Sequence, residues 1–136
     1  MKNTESKEVR RLTNAELELM KIIWDKKEAF LGDIVDSYPE ESRPAYPTIS
    51  TVVRILEKKG FISHDSFGKI NRYYPLVAKE RYRKMVLKST LSTFFDDSPR
   101  EMISCFAEKG SLNQNQYDEL MKCARELLSK DENSYK

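Results

Sequence analysis

Thr48, Ser50, Thr51 and Arg54 put three hydroxyls and one guanidinium into seven consecutive residues of the segment PTISTVVRILEKKGF. Hydroxyls both donate and accept hydrogen bonds, and a guanidinium is a planar fork of donors. Such a set suits the recognition of patterned hydrogen-bonding edges, not bond making. Arg43, Lys58, Lys69 and Arg72 surround it in the chain and add positive charge. Catalytic chemistry has weaker support. There is one histidine, His64, and no nucleophile, base and orienting group at a telling spacing. The carboxylate pairs Glu40-Glu41 and Asp96-Asp97 are adjacent loop residues, an arrangement usually explained by solvation alone. Cys105 and Cys123, with His64, make neither a disulfide framework nor a metal-ligand cluster, so no metal and no cofactor is expected.

The elements that must hold these groups follow from periodicity. Leu12-Thr13-Asn14-Ala15-Glu16-Leu17 is a helix start in which Thr13 caps, Glu16 completes a capping box and Leu12 can staple onto Leu17. Leu17, Met20, Ile23 and Trp24 continue that helix to about Lys27, with Trp24 as a core anchor. Leu31, Ile34, Val35 and Tyr38 mark a second, shorter helix. A loop from Pro39 to Pro47 with three prolines comes next. In the third helix Ile49, Val52, Val53 and Leu56 form the buried stripe, Lys58 and Lys59 complement the dipole, and Gly60 supplies a left-handed cap. The stripe leaves Thr48, Thr51 and Ile55 on one line of the surface and Ser50 and Arg54 on the next. Beyond Gly60 the period becomes two. Phe61 to His64 reads as a strand, Asp65 to Lys69 as a turn and Ile70 to Leu76 as the returning strand.

Three helices followed by a two-stranded hairpin describe a winged helix-turn-helix within a mainly α (α+β) chain. In that fold the polar leading end of the third helix is shaped for the DNA major groove, where hydroxyls and a guanidinium reach base edges. The expected contacts are Arg43, Thr48, Ser50, Thr51, Arg54, Lys58, Lys69 and Arg72, with Arg43, the helix amino end and the wing residues Lys69 and Arg72 on phosphates. Charge is segregated to match. Residues 14–42 carry a net charge of −5 and residues 43–90 one of +8, although the whole chain is only +2. A positive face of this kind attracts polyanions. The alternative reading is a winged helix that uses its basic face on an acidic protein partner.

Three more helices are expected, from about Ala78 to Phe95, from a Ser98-Pro99-Arg100-Glu101 start, and from Asn113 onward. Their apolar residues, Tyr82, Met85, Val86, Leu91, Phe94, Phe106, Tyr117, Leu120, Met121, Ala124, Leu127 and Leu128, require a partner surface. A second copy of the chain is preferred over folding back on the first domain. The division expected is a flexible arm 1–11, a DNA-binding domain 12–77, a helical dimerisation domain 78–130 and a flexible tail 131–136. Charged opening residues and the lack of any long apolar run predict a cytoplasmic protein with no membrane insertion.

Leu12-Thr13-x-x-Glu16, Met20-x-x-x-Trp24, Thr48-Ile49-x-Thr51, Leu56-x-Lys58-Lys59-Gly60-Phe61-Ile62, Gly68-Lys69 ahead of Tyr73-Tyr74, and Leu112-x-x-x-Gln116-x-x-Glu119-Leu120 resemble the penicillinase-repressor (BlaI/MecI) family of bacteria. The likeness runs from residue 12 to about 130. It implies a homodimeric repressor of a palindromic double-stranded DNA operator, whose C-terminal helices interlock between subunits. It also implies release from DNA when a membrane sensor protease system, triggered by β-lactam, leads to a cut in the dimerisation region. The family's Asn-Phe cleavage bond corresponds here to Cys105-Phe106, and a recognition-helix arginine of better-known members corresponds to Ser50. The C-terminal cysteine cluster of a copper-responsive branch has no counterpart, so copper sensing is not expected.

Overall fold

The computed structural model describes the backbone of residues 10–134 and the side chains of 10–129. Residues 1–9 of the expected arm and 135–136 of the expected tail lie outside that range. Three helices open the chain: α1 (Asn14–Lys26), α2 (Leu31–Ser37) and α3 (Tyr46–Lys58). A short strand, β1 (Ala29–Phe30), separates the first two, and a single 3-10 turn at Glu40–Ser42 precedes the third. The hairpin β2 (Ile62–Phe67) and β3 (Ile70–Pro75) follows, and then come α4 (Lys79–Phe95), α5 (Pro99–Ala107) and α6 (Gln114–Ser134). The first four residues of the expected tail, 131–134, continue α6.

Local chemistry explains most of the boundaries. Thr13 Oγ1 accepts from the Glu16 amide at 3.2 Å, and Glu16 Oε1 accepts from the Thr13 amide at 3.0 Å, which closes the capping box of α1. Arriving at α3, the chain has Ala45 at the cap and Pro47 in the first turn, where a missing amide hydrogen costs nothing. Gly60, at φ 86°, turns the chain out of α3 in a conformation that an L side chain would strain. Ser98 Oγ accepts from the Glu101 amide at 3.1 Å to start α5, and Asn113 and Gln116 bond reciprocally at 3.1 and 2.8 Å to start α6.

The sheet has three strands, not two. β3 lies between β2 and β1, antiparallel to both, with Phe67 opposite Ile70, Ile62 opposite Pro75 and Ala29 opposite Tyr73. The wing is therefore longer than periodicity suggests. β2 runs on to Phe67, and only Gly68 and Lys69 form the turn, with Gly68 at φ 64°.

The chain divides into two compact units between Val86 and Leu87, inside α4. The first has a continuous core. Leu19, Met20 and Ile23 of α1, Ile34 and Tyr38 from α2 and its cap, Ile49, Val53 and Leu56 of α3, and Phe61, Ile62 and Tyr73 of the hairpin are all buried. Trp24 anchors its edge by donating from Nε1 to the Val77 carbonyl at 2.9 Å. Tyr82, expected on the dimer face, is inside this core instead. It is only 6% exposed. Its ring packs 5.9 Å from Trp24 and 6.1 Å from Phe61, and its hydroxyl accepts from the Leu12 amide at 2.8 Å. Met85 and Val86 pack on the same core. Tyr82 thus serves intrachain packing, because the first turns of α4, up to Val86, belong to the first unit.

The second unit is built differently. From Leu87 onward no described side chain is buried.

Candidate nucleic-acid interface

The buried stripe of α3 consists of Ile49, Val53 and Leu56, with Val52 half-buried beside it. Everything else on the helix is turned outward by the 3.6-residue period. Thr48, Thr51, Arg54 and Lys58 are exposed, and Ser50 is half-buried. Among the described residues, none buries Thr48, Thr51 or Arg54, three of the four groups expected to read base edges.

Within this face the polar groups are partly pre-arranged. Thr51 Oγ1 donates to the Pro47 carbonyl one turn back at 3.0 Å. Arg54 in turn donates to Ser50 Oγ and to Thr51 Oγ1, each at a long 3.4 Å. These weak contacts steer the guanidinium toward the leading end of α3 without engaging its full donor capacity. Thr51, Arg54, Ile55, Glu57 and Lys58 line a shallow, open depression on the surface. The Glu57 carboxylate pairs with His64 Nδ1 of β2. That pairing draws the only acid of the depression toward the wing.

The cations separate into two groups. Lys58 and Lys69 are exposed, the latter at the turn of the wing, and they have no ion pair among the described residues. Arg43 and Arg72 are engaged by the protein itself. Arg43 donates through Nη2 to the carbonyls of Tyr38 at 2.9 Å and Asp36 at 3.2 Å, and its Nε is buried without a partner. It closes the C-terminal end of α2, where carbonyls lack helical partners. Arg72 sits 2.9 Å from Glu28 and 4.0 Å from Asp65, and its guanidinium lies 4.6 Å from the centre of the Phe67 ring. Lys59, whose charge counts toward the basic stretch, is neutralised by Glu16 at 2.8 Å. Arg43, Lys59 and Arg72, three of the eleven cations of residues 43–90, therefore serve the protein's own structure.

Two large apolar side chains, Tyr46 and Ile55, are also exposed on α3 and lie outside the hydrogen-bonding set. Tyr46, 56% exposed, is the first residue of the helix, ahead of the proline from which the helix was read. Ile55, 39% exposed, stands on the outward line with Thr48 and Thr51, where its apolar side chain offers no hydrogen bond.

In the second unit Phe94, Leu127 and Leu128 are 70%, 63% and 66% exposed. Phe106, Tyr117 and Met121 are exposed too, and Leu91, Leu120 and Ala124 are half-buried. Cys105 is half-buried, Cys123 is exposed, and the Cys105–Phe106 bond lies in the last turn of α5. Among the described residues no set of acidic, histidine and cysteine side chains could hold a metal, and no helix is long and apolar enough to cross a membrane.

Comparison with known proteins agrees with this architecture. The chain is similar to the methicillin resistance regulatory protein MecI of Staphylococcus aureus, 31% identical over 119 residues that cover 88% of this chain and 94% of the relative. It is similar also to the penicillinase repressor of Bacillus licheniformis, 27% identical over 120 residues with the same coverage. The solved DNA-binding domain of the repressor BlaI, 29% identical, superposes with a TM-score of 0.50 over 56% of this chain and 93% of its own. The family model described as penicillinase repressor matches residues 12–126, from the staple residue ahead of α1 to well inside α6. With the winged-helix unit, its capping box and its open third helix inside that span, the chain belongs to the penicillinase repressor family.

Proposed function

We propose that this chain is a transcriptional repressor that binds a palindromic DNA operator as a homodimer, reading each half-site with the exposed side of α3. The observation that carries the reading is the uncovered set Thr48, Thr51 and Arg54, held on a helix whose other side is anchored in the core. A helix of this kind enters the major groove, with Lys58 at its far end and Lys69 at the wing meeting phosphate. Arg43 and Arg72 shape the two supports, the α2–α3 turn and the wing.

Pairing of two copies supplies what one helix lacks. One helix covers a few base pairs, whereas two copies placed roughly 34 Å apart read a palindrome on one side of the duplex. The second unit supports this. Its exposed Phe94, Leu127 and Leu128 and its lack of buried described side chains are those of half an interface. The names of the relatives favour β-lactam-resistance genes as targets. Release by a membrane sensor protease system completes the reading. A cut at Cys105–Phe106 would detach α6 and with it much of the apolar surface that joins the copies.

A gel shift with the full chain and its own upstream DNA, at two salt concentrations and with a scrambled competitor, tests the proposal. A specific complex that weakens steeply as salt rises is expected. Equal retention of both probes would point to an acidic protein partner instead.

A further inference from the structure

Ile55 is the one large apolar side chain in the depression on α3, among Thr51, Arg54, Glu57 and Lys58. A single exposed isoleucine elsewhere would need no explanation. This one takes no part in the buried stripe of Ile49, Val53 and Leu56, and it lies one turn beyond Thr51 on the outward line. Thr51 is itself less polar than its name suggests. Its hydroxyl is turned back to the Pro47 carbonyl, which leaves the Cγ2 methyl as the free branch of an exposed side chain. The outward line thus offers two apolar groups about 6 Å apart along the helix, with the Arg54 guanidinium on the line beside them.

In the major groove the only apolar feature of any base edge is the 5-methyl group of thymine, while guanine presents two acceptors that a guanidinium can span. We infer that Ile55, seconded by the Thr51 methyl, selects thymine through its 5-methyl group, next to a guanine bonded by Arg54. This rests on the DNA-reading function proposed above. It assigns to α3 a mixed code in which a hydrophobic contact, not a further hydrogen bond, sets one position of each half-site.

The test first selects a binding sequence for the full chain from randomised duplexes. Each thymine in it is then replaced by uracil, which removes one methyl and leaves every hydrogen bond of the base intact. At one position per half-site we expect uracil to weaken binding about three- to fivefold, the effect of losing one buried methyl. Ile55→Ala and Ile55→Gln, both compatible with a helix and located on the surface, should bind the thymine and uracil forms of that position equally, with thermal midpoints close to the parent's. Uracil that is neutral at every position overturns the inference, as does a uracil penalty that persists unchanged in both Ile55 variants; either result leaves the DNA-reading function standing. If no sequence emerges from the selection, that function fails and this inference goes with it.

Discussion

Lys59 Nζ lies 2.8 Å from Glu16 Oε2, which ties the end of α3 to the first turn of α1. Burial alone would raise the Glu16 carboxyl, but the Lys59 hydrogen bond, the Thr13 amide and the Lys59 charge outweigh it and hold the group below its ordinary value. Because the folded value is the lower one, the stabilisation is present above about pH 4.5 and is lost as pH falls through the folded value. Glu16→Gln keeps an acceptor for the Thr13 amide and removes the charge. It should cost about 1–2 kcal/mol near neutrality. The difference from the parent should shrink in acid, as followed by urea melts at several pH values.

Arg54 and Lys69 should fail in different ways. Arg54→Ala removes the guanidinium on the reading face and should lower the ratio of specific to non-specific affinity by about 1–3 kcal/mol. Lys69→Ala should weaken all duplexes about equally and reduce the salt slope by roughly one. Competition titrations at several salt concentrations separate the two, and the reverse pattern would move the reading head to the wing.

Arg43 donates through Nη2 to the carbonyls of Asp36 and Tyr38. Arg43→Ala should therefore destabilise the first unit, by about 1–3 kcal/mol for two charge-assisted bonds. The salt slope of DNA binding measured well below the melting temperature should not change. A slope lower by one would return Arg43 to the phosphate-contacting set.

Leu127 and Leu128 are among the most exposed apolar residues of the second unit. The double substitution Leu127→Glu with Leu128→Glu should raise the monomer fraction in sedimentation and weaken operator binding by tenfold or more, with the first unit's melting unaffected. A monomeric parent chain would refute the dimer directly.

Tyr38 supplies a second pH limit. Burial, and then the negative charge of Glu18, push its phenol up to about 12. The unfolded phenol ionises first, so stability should fall as pH rises from about 10, the ordinary value, through 12. Tyr38→Phe should flatten that alkaline limb in thermal melts.

Local signals made much of this legible. Thr13 with Glu16, Gly60 after two lysines, and the Ile49-Val53-Leu56 spacing each describe relations between residues no more than two turns apart, and each element stands where those residues place it. What escaped depends on distance in sequence. Two residues carry no period, so β1 shows itself only through its pairing with Tyr73 and Arg72. Arg72 reads as a free wing cation until Glu28, forty-four residues earlier, is beside it. Tyr82 looks like one more apolar residue of α4 until Trp24 and Phe61 are seen against its ring. On α3 itself, hydrogen-bonding groups mark the exposed face but not Tyr46 and Ile55, since apolar and aromatic residues on a helix are ordinarily assigned to packing.

The Phe67–Ile70 pairing closes the hairpin with Gly68 and Lys69 alone at the tip. Side chains on a strand alternate between the two surfaces, so one added residue would present the opposite side from there to the end. Adding one residue to each strand keeps the strands paired but turns the tip over, so Lys69 holds its side only when the hairpin grows by two residues per strand.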